Sequence, residues 1–309
     1  MGHDNHSWQG KSRGGALGYQ IFVFIIRYLG LRTAYCFLSL VVIYFIPFAF
    51  VATRSLWFYY RHVLERSVWV TPFLIYRHYF IFGQTIIDKL AIGAGLGKRF
   101  KFEILHYKEF LDFWGIQKTG FITIGAHVGC WELASHFFDG YEDRINIVML
   151  DAEYEKIKKV VDNNSRPRPY KIIPVTDDFL RTVLEIKNAL NNAEMVSFQG
   201  DRFVEGQPTF SAPFMGLEAS FPAGVFTLAR KMKVPVIFLF VMRKPRFTYT
   251  IEFVFMENTE ASAASAASAA SAGTCGSDIS LEKSYIAALE DVVRRYPSQW
   301  FNFYKFWKT

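Results

Sequence analysis

From Phe121 onward the chain alternates short apolar runs with segments of helical spacing. The runs 121–125, 145–150, 170–175, 194–199, 234–242 and 249–256 are rich in β-branched and aromatic side chains, which predicts strands. The intervening segments 129–138, 152–162, 177–192 and 221–232 read as helices. In 177–192, Phe179, Leu180, Val183, Leu184 and Leu190 fall near one helical face. Alternation of this kind predicts an α/β fold, with a mixed, mainly parallel central sheet flanked by helices. A last helix is predicted over 280–295.

The pattern before Phe121 is different. Residues 1–18 are polar and glycine-rich, and predict a mobile N-terminus without the features of a cleaved signal peptide. The chain turns apolar at Tyr19, and Thr33–Thr53 is an uncharged run of 21 residues. As a helix it is long enough to span a bilayer. Pro47 and the aromatic content leave a kinked, interfacial helix as the alternative. Arg27 and Arg32 interrupt the stretch before it and argue against two consecutive spans. Arg54, Arg61 and Arg66 follow the run and predict a body facing the cytoplasm from the inner membrane. Residues 55–118 read as helical through Trp57, Tyr60, Leu64, Phe73, Tyr76 and Phe80.

Three regions result: a mobile stretch 1–18, an apolar membrane-associated segment 19–54, and one domain over 55–309. That domain carries an Ala/Ser tract at 261–273, whose three-residue period offers no face to bury and predicts a surface insertion. The tail after the last helix, YPSQWFNFYKFWKT, is aromatic and basic. It suits either a membrane–water boundary or packing back onto the core.

Composition sharpens this picture. Hydrophobic residues make up 51% of the chain and aromatics 18%, and the net charge is +7. A basic balance suits anionic lipid surfaces, acidic carrier proteins or phosphorylated cofactors. Nucleic acid is disfavoured, because no basic nucleic-acid motif is present and the aromatics lie within apolar runs. Cys36, Cys130 and Cys275 are far apart and have no metal-ligand spacing, so no metal site is expected.

The candidate chemistry lies where the first strand ends. In GAHVGCWEL, Gly125–Leu133, the apolar run stops at Gly125 and delivers His127, then Glu132. An imidazole held by a carboxylate can take a proton from a hydroxyl or an amine. Five residues of ideal helix turn through about 500°, so the two side chains meet only if His127 precedes the helix. A plainer reading makes them a buried histidine and an acid favoured by a helix dipole. Gly125 and Gly129 bracket the histidine and permit tight turns beside a substrate. Cys130 within the motif reads as a small packed side chain. A second strand ends in FQGDRF, Phe198–Phe203, which brings Asp201 and Arg202 to the same rim if the strands are parallel. Arg202 is a candidate for clamping a phosphate or carboxylate, with Asp201 orienting it. An Asp–Arg pair closing a turn is the structural alternative.

His127, four residues, then Glu132, within GAHVGCWEL, resembles the motif of the lipid A late acyltransferase branch of the lysophospholipid acyltransferase superfamily. The segment FMGLEASFPAGVFTLARKMKVPVIF, Phe214–Phe238, and Pro297-Ser298-Gln299-Trp300 are similar to later blocks of that family. The resemblance implies a membrane-associated acyltransferase with His127 and Glu132 as its general-base pair. It implies an acyl carrier protein or acyl-CoA thioester as co-substrate, with no bound cofactor and no metal, and a lipid acceptor in the bilayer. It further implies substrate contacts at Arg202, Asp201, Gly129 and Trp131, with Gly216, Phe214 and Phe221 around the acyl chain. A lipid-binding or scaffold protein that keeps the fold without catalysis is the alternative from another class. An esterase of the α/β-hydrolase type is disfavoured by the lack of a Gly-x-Ser-x-Gly elbow.

Overall fold

The computed structural model describes residues 16–116, 119–137, 144–150, 170–175, 179–256 and 280–308. Most of the predicted 1–18 stretch, the predicted helix 152–162 and the Ala/Ser tract at 261–273 lie outside the described residues.

A seven-stranded sheet forms the centre. Its strands are β1 (Lys101–Leu105), β2 (Phe121–Gly125), β3 (Ile145–Leu150), β4 (Lys171–Val175), β5 (Met195–Gln199), β8 (Val236–Lys244) and β9 (Thr248–Phe255), in the spatial order β1-β9-β8-β2-β5-β3-β4. β8, β2, β5, β3 and β4 are mutually parallel; β9 runs against β8, and β1 runs alongside β9. The sheet is therefore mixed and mainly parallel, as the alternating pattern predicts. β2, FITIG, lies near the middle and is buried along its whole length. That is the burial a continuous apolar run needs when both faces of a parallel sheet are covered. Pro174 is confined to β4, an edge strand, where a missing N–H costs no ladder bond.

Two strand elements depart from the sequence reading. β1 falls within 55–118, which reads as helical. Its exposed Lys101, Glu103 and Leu105 alternate with half-buried Phe102 and Ile104, the period-2 signature of an edge strand. A separate hairpin joins β6 (Thr209–Phe214) to β7 (Leu217–Pro222). Its two-residue loop has φ 55° at Met215 and 88° at Gly216, the doubly positive geometry that suits the twist of paired strands.

Eight α-helices are described. α1 (Ala16–Tyr28), α2 (Leu31–Phe48), α3 (Phe50–Phe58) and α4 (Thr71–Ala91) form an N-terminal helical unit. α5 (Tyr107–Ile116), α6 (Phe179–Asn191), α7 (Ala223–Met232) and α8 (Leu281–Arg295) belong to the α/β body. The segment predicted as a helix over 129–138 is instead a 3-10 turn, Trp131–Phe137. α1 and α2 meet at Gly30, which has φ 87°. Pro47 lies inside α2, and the helix breaks two residues later at Ala49, the single residue between the end of α2 at Phe48 and the start of α3 at Phe50. α2 buries Leu31, Ala34, Leu38 and Val42, spaced for one helical face, while Leu40, Ile43, Tyr44 and Phe48 are exposed. α2 and the helical stretch Thr71–Arg99 are each long and apolar enough to cross a membrane. The two helices pack antiparallel. Tyr35 bonds Asp88, a Cβ on Gly83 would meet Leu38, and Thr53 of the following α3 bonds Tyr79 at 3.1 Å.

The C-terminal tail packs back onto the core. Trp300, Phe306 and Trp307 are buried against Phe214 and Phe221 of the hairpin and Tyr59 after α3. The Trp307 indole N–H donates to the Phe214 carbonyl at 3.0 Å. Phe306→Ala is accordingly expected to cost about 3–5 kcal/mol by emptying this aromatic cluster. Urea unfolding in mild detergent checks it; a loss below about 1 kcal/mol would show that the tail contributes little to the fold.

Candidate active site

The loop after β2 is held by close backbone approach. A Cβ on Gly125 would lie 2.9 Å from the Leu239 carbonyl oxygen. The Gly125 carbonyl accepts from the Gly200 N–H at 2.9 Å and from the Tyr285 hydroxyl at 2.8 Å. Gly129 has φ +63°, and a Cβ there would fall 2.0 Å from the Val241 carbonyl oxygen, so no side chain fits. The C-terminal tail clamps the same loop. The Gly129 N–H donates to the Gln299 carbonyl at 2.8 Å, and the Phe301 N–H donates to the His127 carbonyl at 2.9 Å. His127 therefore sits in the loop ahead of the 3-10 turn, the location that its spacing from Glu132 requires.

Parallel pairing of β2 with β5 aligns Gly125 with Gln199 and brings Asp201 to the same rim. Asp201 is 1% exposed, and its carboxylate accepts three hydrogen bonds. They come from the His127 main-chain N–H at 3.0 Å, the His127 Nδ1 at 2.7 Å and the Trp300 indole N–H at 3.1 Å. Burial acts to raise this carboxyl, but the His127 ring, Arg202 and the His127 N–H outweigh it and hold the group below its ordinary range. An ionised carboxylate only accepts, so Nδ1 is the donor, and in the neutral ring Nε2 carries the lone pair.

Glu132, which the spacing assigns to the histidine, has different partners. Its Oε1 accepts from Lys89 Nζ of α4 at 2.9 Å, and its Oε2 faces the Cys130 thiol at 3.5 Å. Burial opposes ionisation of Glu132, and Lys89 overrides it and lowers the carboxyl. Cys130 is buried, and its thiol is pushed well above its ordinary range, first by burial and then by the Glu132 charge, as suits a packed side chain.

The remaining predicted residues are dispersed. Arg202 is half-buried beside Tyr304 and donates from Nη2 to the Phe301 carbonyl, which ties the end of β5 to the tail. Trp131 is half-buried and, with Gly125, Gln199 and Leu239, lines a cavity of about 10 Å³ on the sheet. Phe214 and Phe221 are fully buried in the aromatic core, and Gly216 supplies the positive φ of the β6–β7 turn, with open space where a Cβ would point.

Sequence reasoning missed two contributors. Lys89 follows Asp88 near the end of the mainly apolar α4, and two adjacent opposite charges there are the signal that marks them. Trp300 belongs to the PSQW string, but its bond to Asp201 is a long-range contact that no local pattern shows.

The depressed Asp201 carboxyl fixes a pH dependence. Its folded value lies below its ordinary 3.8, so its contribution to stability is complete above that value and is lost as pH falls through the depressed one. Melting temperatures of wild type and Asp201→Asn, followed from about pH 6 to about pH 2.5, should therefore converge in acid. A gap that stays constant to the lowest pH would show that the carboxylate charge contributes nothing.

Residues 96–309 match the family of bacterial lipid A biosynthesis acyltransferases. The match takes in β1 through the tail, including His127, Glu132 and Asp201, and begins after Lys89. A search among curated proteins finds no match. The matched span is more than two thirds of the chain, and the protein belongs to the bacterial lipid A biosynthesis acyltransferase family.

Proposed function

We propose that this acyltransferase works at a membrane and moves a fatty acyl group from a thioester of acyl carrier protein or CoA to a hydroxyl or amine of a lipid acceptor. The observation that carries the reading is the 2.7 Å contact between Asp201 and Nδ1 of a loop histidine at the end of a parallel strand. The orienting carboxylate in this reading is Asp201, and Glu132, paired with Lys89, is the second acid of the site. His127 Nε2 takes the acceptor proton as the acceptor oxygen or nitrogen attacks the thioester carbonyl. The tetrahedral intermediate then collapses, the C–S bond breaks, and the imidazolium returns its proton to the departing sulfur. No covalent acyl-enzyme is required. Arg202 adds positive charge beside Asp201 and is the proposed contact for an anionic part of a substrate.

His127→Ala should lower kcat by ~10²–10⁴-fold, the usual range for loss of a general base. Asp201→Asn should approach the same loss, because an amide no longer enforces the tautomer with a free Nε2. Steady-state acyl transfer by the purified variants, normalised to folded protein, measures both. Wild-type turnover in His127→Ala ends the mechanism. Near-normal turnover in Asp201→Asn alongside a collapse in Glu132→Gln would hand the orienting role to Glu132.

The exposed apolar faces of α1 and α2 support the membrane placement, with the body toward the cytoplasm where thioester donors are made. Apolar tails rather than lipid charge then provide most of the anchorage. The full-length protein should stay with membranes through high-salt washing, which screens charge within a few ångströms. Quantitative release by salt alone would refute an apolar anchor.

A further inference from the structure

A cavity of about 320 Å³ opens beside the tail, separate from the catalytic loop, with Tyr60, Arg66, Arg77, Arg295, Ser298 and Gln299 among its walls. Three guanidinium groups face one small space. Arg295 is engaged by Glu252 at 3.0 Å and Asp291 at 2.7 Å. Arg66 and Arg77 make no ion pair with a carboxylate among the described residues. The Tyr60 hydroxyl, bonded to Ser298 at 3.1 Å, adds a polar floor. Two uncompensated arginines at a concave, partly apolar site are the chemistry that holds a phosphate.

The rim shows where that phosphate comes from. Val70 and Leu74 continue the wall outward, and beyond them Val68, Trp69 and Phe73 are exposed, Trp69 at 88%. An apolar rim with a projecting indole above a basic pocket matches the layering of a bilayer surface, with acyl chains against the aromatics and headgroup phosphates against the arginines. A water-borne phosphate has no use for such a rim. The antiparallel packing of α2 on α4 also brings the exposed Phe48, Phe50 and Val51 toward this end of the helical unit.

We propose that this cavity binds the phosphate of an anionic membrane phospholipid through Arg66 and Arg77, with Trp69 and Phe73 against its acyl region. The inference rests on the membrane placement argued above. Its structural consequence is specific. The wall Pro297–Gln299 runs directly into the residues that clamp Gly129 and His127, so a headgroup held here sets the position of the catalytic loop relative to the bilayer.

The test uses full-length protein in neutral detergent, titrated with dioctanoyl phosphatidylglycerol, dioctanoyl phosphatidylcholine or inorganic phosphate, with melting temperature as the readout. Wild type should respond to phosphatidylglycerol at concentrations about tenfold or more below the other two. Arg66→Gln/Arg77→Gln should lose about tenfold or more of that affinity, and Arg66→Lys/Arg77→Lys should keep most of it. Should the double glutamine variant fold poorly, Arg66→Gln alone, at an exposed position, should still lose several-fold. An unchanged phosphatidylglycerol titration in the glutamine variants overturns the proposal. So does inorganic phosphate binding as tightly as the lipid, which would make this a site for a soluble anion. Flotation with neutral phosphatidylcholine vesicles is read separately. Both wild type and the double variant should float, and failure of wild type to float would overturn the membrane placement whatever the titrations show.

Discussion

One buried carboxylate organises this molecule's working end. Asp201 stands at the end of β5, yet its three hydrogen bonds go to the loop after β2 and to the C-terminal tail. A carboxylate that is almost fully buried is costly unless each of its oxygens is occupied. Here the groups that satisfy it are the main chain and ring of His127 and the indole of Trp300, so burying the charge and aiming the imidazole are a single event. The Tyr304 hydroxyl adds a bond to the Asp201 carbonyl from the same tail. Three segments distant in sequence must therefore be in place together before the histidine has a defined orientation.

α4 supplies a second constraint with the same logic. Asp88 accepts from Arg243 Nε at 2.8 Å and from Tyr249 at 2.6 Å, and it also bonds Tyr35 of α2. The next residue, Lys89, holds Glu132. Adjacent charges on one helix thus meet β8 and β9 of the sheet on one side and the 3-10 turn of the site on the other. The buried Asp88–Arg243 pair adds little net stability, because desolvation consumes most of the Coulomb gain, and the partly exposed Lys89–Glu132 pair adds little because water screens it. Their effect here is geometric: they give the apolar helical unit one register against the α/β body. The proposed phospholipid cavity lies at the other end of the same unit, where α4 begins and the tail passes.

Much of the fold was legible because its signals are local. The fully buried β2 reads as a continuous apolar run, and β3, β4, β5, β8 and β9 appear within two residues of their predicted bounds. β1 escaped because five alternating residues at a sheet edge carry little apolar weight beside the aromatic helices before them. The β6–β7 hairpin escaped because Met-Gly is a weaker turn signal than Asn-Gly, although Gly216 meets the same need for positive φ. The 3-10 turn at Trp131–Phe137 read as α-helix because the pattern reports apolar spacing and not hydrogen-bond length.

The amino-acid sequence by itself determined the alternating α/β body, the apolar N-terminal region, the histidine at a strand end and the arrival of Asp201 and Arg202 at a strand end of their own. These follow from side-chain periodicity and from glycine at positions where backbones touch, both of which are written residue by residue. Only the tertiary structure decided which carboxylate the imidazole meets. The spacing of His127 and Glu132 made them natural partners along the chain, but the parallel register of β2 and β5 set Asp201 against Nδ1, and the packing of α4 gave Glu132 to Lys89. A charge in a protein interior is assigned by what surrounds it in space, and that surrounding exists only once distant segments have packed.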